Sequence, residues 1–250
     1  MIDTHAHLDA CADPPEELLA RAREAGVSRV ITVGSGLESC RAALAVCERQ
    51  ENVWAALGIH PHQAGDERDG DLAELRELLA HPKAVAVGET GLDHYRDYAP
   101  RNLQERLFRA QAAFAAELGK ALVVHSRAAD AETVAVLAGV PDGVPVVLHC
   151  FSSPALLEPA LERGWYVSFA GNLTYQKAAD LRWAAARVPV NRLLAETDCP
   201  YLTPQPERGK RNEPAFVVHT LAALAGARGD DPAELEHAIE ATATVAFGLP

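Results

Sequence analysis

The chain has 250 residues, of which 48% are hydrophobic and 23% charged, a composition that excludes a disordered protein and suits one large α/β domain or two small ones. Its 35 acidic and 23 basic residues give a net charge of −12, which speaks against a broad basic surface for duplex nucleic acid but leaves room for a small phosphate-binding cleft. No apolar run reaches the roughly 20 residues of a membrane span and no signal-peptide pattern precedes the first strand, so a cytoplasmic protein without membrane association or an obligate protein partner is expected.

In chain order, eight apolar runs read as strands: Met1 to His5, Arg29 to Val33, Val53 to Ile59, Ala84 to Gly88, Ala121 to His125, Pro145 to His149, Trp165 to Phe169 and Arg192 to Glu196. Amphipathic stretches lie between them. Asp13 with Pro14 and Glu16, Ser153 with Pro154, and Asp231 with Pro232 and Glu234 read as helix N-caps with a proline in the first turn. Leu103, Leu107, Ala110, Phe114 and Leu118 keep helical spacing, and Gly119 reads as their C-cap. Pro159 predicts a kink or break in the helix after Ser153, and a last helix runs from Asp231 to Phe247.

Eight strands alternating with helices over this length predict a (β/α)8 TIM barrel, a single domain over residues 1–250. An open doubly wound sheet is the alternative. The strand count favours closure, and so does the presence of polar residues at the C-terminal ends of most strands rather than at one switch point.

Those strand ends carry the chemistry. His5 and His7 project from one face of the first strand, and imidazole is the commonest protein ligand for divalent metals. Alone, the pair is equally well explained as two ordinary histidines near a terminus. Later strand ends add His60 and His62, Glu89, His125, His149 and Asp198, where barrel enzymes place their active groups. So many donors converging on one barrel mouth would be costly to bury unless a cation held them together. Cys11, Cys40, Cys47, Cys150 and Cys199 form no C-x-x-C pair and are expected as free thiols. Period-two geometry turns Cys150 away from the histidines.

The segments Ile2-Asp3-Thr4-His5-Ala6-His7-Leu8-Asp9, Gly58-Ile59-His60-Pro61, Val87-Gly88-Glu89-Thr90-Gly91-Leu92-Asp93, Val124-His125-Ser126-Arg127, His149-Cys150-Phe151-Ser152, Glu196-Thr197-Asp198-Cys199-Pro200 and Arg208-Gly209-Lys210-Arg211-Asn212-Glu213-Pro214 occur in this order. Taken jointly, they make the chain resemble the TatD-type metal-dependent deoxyribonucleases, a branch of the amidohydrolase superfamily of barrels, over essentially its whole length. One departure is Thr242-Ala243-Thr244-Val245-Ala246-Phe247, where the family pattern has an asparagine ahead of the closing Phe-Gly-Leu. The resemblance implies two divalent ions, magnesium, manganese or zinc, with His5, His7 and Asp198 on one, His125 and His149 on the other and Glu89 bridging. It further implies phosphodiester hydrolysis by a metal-activated water, with Glu89 and Asp198 as the catalytic carboxylates. Asp198 either takes the water's proton or serves as a ligand only.

Substrate contacts follow from residue types. His60 and His62 can hydrogen-bond a phosphate or leaving group, or be ordinary loop histidines. Arg127 can clamp a phosphate or form a surface ion pair. Lys210 and Arg211 can steer phosphates or form a solvated face, and Tyr95 can stack on a terminal base. An aromatic content of 6% favours end-on engagement of single-stranded DNA over a long stacking platform. An amidohydrolase or esterase acting on a carbonyl substrate such as aminoacyl-tRNA is the second reading. A non-catalytic metal-stabilised module is disfavoured, because structural zinc sites use four ligands and leave no open position.

Overall fold

The computed structural model describes residues 1–96 and 98–250. The described strands are β1 (Ile2–Ala6), β2 (Arg29–Gly34), β3 (Val53–Leu57), β4 (Ala84–Asp93), β5 (Ala121–Arg127), β6 (Val146–Leu148), β7 (Tyr166–Phe169) and β8 (Leu193–Ala195). They are hydrogen-bonded in sequential order within one sheet. The helices are α1 (Pro15–Glu24), α2 (Leu37–Arg49), α3 (Asp71–Leu78), α4 (Arg101–Leu118), α5 (Asp130–Leu137), α6 (Leu157–Arg163), α7 (Ala179–Ala185), α8 (Val217–Arg228) and α9 (Pro232–Phe247). A parallel bridge from Ala6 to Cys199 ties β1 to the segment after β8. Sequential parallel strands whose first and last members also meet have the strand order of a (β/α)8 barrel, as the apolar runs predict.

The chain divides into two compact units, Met1–Thr32 with His149–Pro250, and Val33–Leu148. In the first, Ile2 pairs with Arg29 and Asp3 with Val30, and Val167 pairs with Leu193. Ile2, Phe169, Leu193, Leu224 and Ile239 are among its fully buried side chains. In the second, β4 pairs with both β3 and β5, and β5 with β6; Leu57, Leu75, Leu107, Phe108 and Leu122 are buried there. Strands covered on both faces bury every side chain: β1, β3, β7 and β8 are buried throughout, and β3 and β8 are unbroken apolar runs.

Three local features differ from expectation. Strand β4 continues five residues past Gly88 to Asp93. Its glycines admit the neighbouring backbone: a Cβ on Gly91, at φ 138°, would lie 2.0 Å from the His125 carbonyl oxygen. Asp13 caps no helix; α1 starts at Pro15 behind Pro14, and the Asp13 carboxylate accepts from Arg21 at 2.7 Å instead. Ser153 heads a 3₁₀ turn, Pro154–Leu156, before α6 begins. Pro159 therefore falls in the first turn of α6, where a missing N–H removes no helical bond. Asp231 caps α9 as expected, accepting from the Ala233 and Glu234 N–H groups, and Gly119 closes α4 at φ 62°. None of the five cysteines is in a disulfide, and no helix of the described residues is long and apolar enough to cross a membrane.

Candidate metal centre

In the unit containing the termini, β1 and the segment following β8 meet at a group of buried histidines and carboxylates. His5, His7, His149, Glu196 and Asp198 are all buried. The Nε2 atoms of His5 and His7 lie 3.2 Å apart, with Asp198 Oδ1 at 3.8 and 3.6 Å from them. The His149 ring stacks on His5 with centroids 4.0 Å apart. Its Nδ1 faces Glu196 Oε1 at 3.3 Å, an oxygen that also accepts from the Cys150 N–H at 2.6 Å. Asp198 has φ 56°, and its N–H donates to the His5 carbonyl at 2.9 Å, which turns its carboxylate toward the rings.

Burial alone would raise the Asp198 pKa, but the hydrogen bond with His7 and the nearby His149 and His5 outweigh it and hold the carboxyl below its ordinary value. Asp3 behaves oppositely: burial pushes it up to about 8, against the hydrogen bonds from Thr197 and His5. Glu196 Oε2 is buried without a hydrogen-bond partner among the described residues. An orphaned carboxylate oxygen among three imidazoles and the Asp198 carboxylate is a donor set that fits a divalent cation.

In the unit Val33–Leu148, the second group gathers at the ends of β3, β4 and β5. Glu89 Oε1 lies 2.8 Å from His125 Nδ1 and 3.2 Å from His60 Nε2. Asp93 Oδ2 lies 3.1 Å from His125 Nε2 and 2.8 Å from His62 Nε2. Both carboxylates are buried. Burial pushes His60 down to about 4, partly opposed by Glu89, so the ring is neutral and can act as a ligand or acceptor. For Asp93, the bonds with His125, the Arg96 N–H and His62 overcome the effect of burial and hold it well below the usual carboxylate range. His60, His62 and His125 offer ring nitrogens within 4.8 Å of one another, and in the other unit two nitrogens of His5 and His149 and a carboxylate oxygen of Glu196 lie equally close. Each group can hold a metal ion.

A family model described as TatD related DNase matches residues 2–248. The chain belongs to the TatD family. It is 41% identical over 261 residues to an uncharacterized metal-dependent hydrolase, TatD, of Mycobacterium tuberculosis, covering 100% of this chain and 98% of that one. Against the 3'-5' ssDNA/RNA exonuclease TatD of Cronobacter sakazakii, identity is 38% over 239 residues, with 93% and 91% covered. The crystal structure of YjjV, a TatD homolog from Escherichia coli K12, superposes with a TM-score of 0.93 at 30% identity, covering 100% and 98% of the two chains. The TatD fold, a (β/α)8 barrel of a metal-dependent hydrolase, is thus shared along the whole chain.

Of the TatD-motif residues singled out from sequence, the structure brings His5, His7, His149 and Asp198 together in one unit and His60, His62, Glu89 and His125 together in the other. Tyr95 and Arg127 are exposed and stacked, the guanidinium carbon 4.0 Å from the ring centre. Lys210 and Arg211 are exposed between β8 and α8, where Lys210 pairs with Glu207 at 2.6 Å. The reading of Cys150 by strand periodicity does not hold: β6 ends at Leu148 and Cys150 has φ 45°. Sequence reasoning missed Glu196 and Asp93. Asp93 carried a signal, since Glu89, Gly91 and Asp93 share one face of an extended β4.

Proposed function

We propose that this TatD-family hydrolase is a metal-dependent nuclease that shortens single-stranded nucleic acid from its ends. The observation that carries the reading is the burial of carboxylates among imidazoles at the C-terminal ends of strands, an arrangement whose charge a divalent cation would balance. Membership of the TatD family supports assigning His5, His7 and Asp198 to one ion, His125 and His149 to a second, and Glu89 to both. Magnesium, manganese and zinc all suit this mixed nitrogen and oxygen set. When bound, such ions lower the pKa of a water and offset charge on the phosphate being attacked.

The protein's own groups supply the rest. Asp198, held ionised, accepts the proton of the attacking water. Glu89, 2.8 Å from His125 Nδ1 and 3.2 Å from His60 Nε2, sets both rings beside the ion it would share with His125. His60 and His62 face the scissile phosphate and the leaving oxygen. Arg127 and Tyr95 take the next phosphate and its base, a local cation and ring on a chain of net charge −12, while Lys210 and Arg211 steer the strand electrostatically. The relatives that carry the 3'-5' ssDNA/RNA exonuclease name support single strands and the 3' end as substrate.

The test is to supply end-labelled single-stranded DNA, duplex DNA and RNA, beside ester and amide substrates, with magnesium, manganese or zinc. Stepwise shortening of single strands that stops with chelator is the expected result. Ester turnover with no cleavage of nucleic acid would reverse the assignment in favour of carbonyl chemistry.

A further inference from the structure

Asp93 ends β4 with its side chain 0% exposed. Its two oxygens do different things. Oδ2 faces the Nε2 atoms of both His62 and His125, at 2.8 and 3.1 Å. Oδ1 accepts the backbone N–H groups of Tyr95 at 3.0 Å and Arg96 at 2.8 Å, an Asx-type turn that sets the start of the segment carrying Tyr95. The Asp93 peptide is itself clamped from α4. Gln104 Oε1 accepts its N–H at 2.9 Å, and Gln104 Nε2 donates to its carbonyl at 3.3 Å and to that of Ala99 at 2.9 Å. Two helical turns on, Gln111 repeats the device, accepting the Ile59 N–H at 2.7 Å and donating to the Ile59 carbonyl at 3.0 Å, next to His60.

A fully buried glutamine amide is costly unless each of its groups is satisfied. Gln104 spends its bonding capacity on the peptide of one carboxylate and the loop beside it. An imidazole that donates Nε2–H to a carboxylate keeps its lone pair on Nδ1, and in His125 that atom faces Glu89 at 2.8 Å. Metal-binding histidines are generally held in one tautomer in this way.

We propose that Asp93 is a positioning residue: its Oδ2 fixes the tautomer and aim of His125 as a metal ligand, its Oδ1 ties that ligand to the Tyr95 segment, and Gln104 sets where Asp93 stands. This rests on reading His125 as a ligand. Asp93→Asn separates the two tasks. The amide oxygen still accepts from Tyr95 and Arg96, but an NH2 donor now faces His125 Nε2, which must accept and so move its proton to Nδ1. The atom that would bind the ion then has no lone pair to offer.

Wild type, Asp93→Asn and Gln104→Met, stripped by chelation, are titrated with Mn2+ by calorimetry, and the histidine tautomers of the zinc-loaded proteins are read by 15N NMR. The expected result is a roughly 10- to 100-fold loss of Mn2+ affinity in Asp93→Asn. His125 moves from the Nε2–H to the Nδ1–H form, His5 and His7 do not change, and the circular dichroism spectrum remains that of wild type. Gln104→Met weakens binding in the same direction by a smaller factor. Wild-type affinity and tautomer in a folded Asp93→Asn overturn the inference; should that variant not fold, wild-type affinity in Gln104→Met overturns it. Wild type that binds Mn2+ but cuts no nucleic acid defeats the nuclease reading alone, since affinity and tautomer still decide the role of Asp93.

Discussion

Asp3 accepts two hydrogen bonds from one residue, the backbone N–H of Thr197 at 2.9 Å and its hydroxyl at 2.6 Å. A single buried carboxylate on β1 thereby fixes the segment that carries Asp198, and it also accepts the His5 N–H at 3.2 Å. Thr197→Val removes one of these bonds and should cost about 1–3 kcal/mol, whereas Asp3→Ala strands three buried donors and should cost more. Urea unfolding of the metal-free proteins measures both. Equal stability of Asp3→Ala and wild type would show that the clamp is idle.

The Asp198 carboxylate stands 3.8 and 3.6 Å from the two histidine nitrogens of the β1 motif. Asp198→Asn and Glu89→Ala should each lower turnover by about 10³-fold or more while leaving the fold intact. A bound ion present at 100 times its Kd adds about 2.7 kcal/mol of stability. Wild type should therefore melt lower after chelation, and the two variants should show a smaller drop. Full turnover of either variant at saturating metal removes that residue from the machinery.

Two cysteines should differ in reactivity. The hydrogen bond between Cys11 and Cys199, with sulfurs 3.8 Å apart, lowers the Cys11 pKa, and Cys11 is half-buried. Burial pushes Cys47 up to about 12. Alkylation at pH 8 followed by peptide mass spectrometry should label Cys11 first, because the thiolate is the nucleophile, and leave Cys47 unlabelled until denaturant is added. The Cys11 rate should level off below the ordinary thiol pH range. Equal labelling of the two would contradict the environments described.

How much could be read in advance depended on whether the deciding contacts were local. Largely buried, mostly apolar runs mark the eight strands, and every histidine of the two clusters lies near the C-terminal end of one or shortly after it. The end of β4 is hidden because Gly88 and Gly91 look like turn residues, while their real use is to admit the β5 backbone, with a Cβ on Gly88 only 2.4 Å from the Val123 carbonyl oxygen. Asp93 was hidden with it. Glu196 lies beside Asp198 in sequence, yet its partner His149 is 47 residues away, and no spacing rule connects them. Asp13 follows the capping pattern, but Arg21 binds it together with Glu213 at 2.7 and 2.6 Å, and that tertiary ion pair displaces the local cap.

Arg127 lies over the Tyr95 ring at 4.0 Å, and the ring is 64% exposed. The ring restrains the guanidinium at an exposed position, where its donors can meet a phosphate. Arg127→Ala should raise KM for single-stranded DNA roughly tenfold with kcat little changed, since a charge-assisted contact to a phosphate remote from the reaction is made equally in ground and transition states. The slope of log affinity against log salt should flatten by about 0.7, the value of one phosphate contact on a single strand. Tyr95→Phe keeps the ring and should behave as wild type, whereas Tyr95→Ala should lose about 1–3 kcal/mol of base stacking. Arg127→Lys keeps the charge without the planar fork, so it should restore the salt slope but not the full affinity. If KM and salt slope both stay at wild-type values in Arg127→Ala, the stack is surface decoration and the substrate strand runs elsewhere.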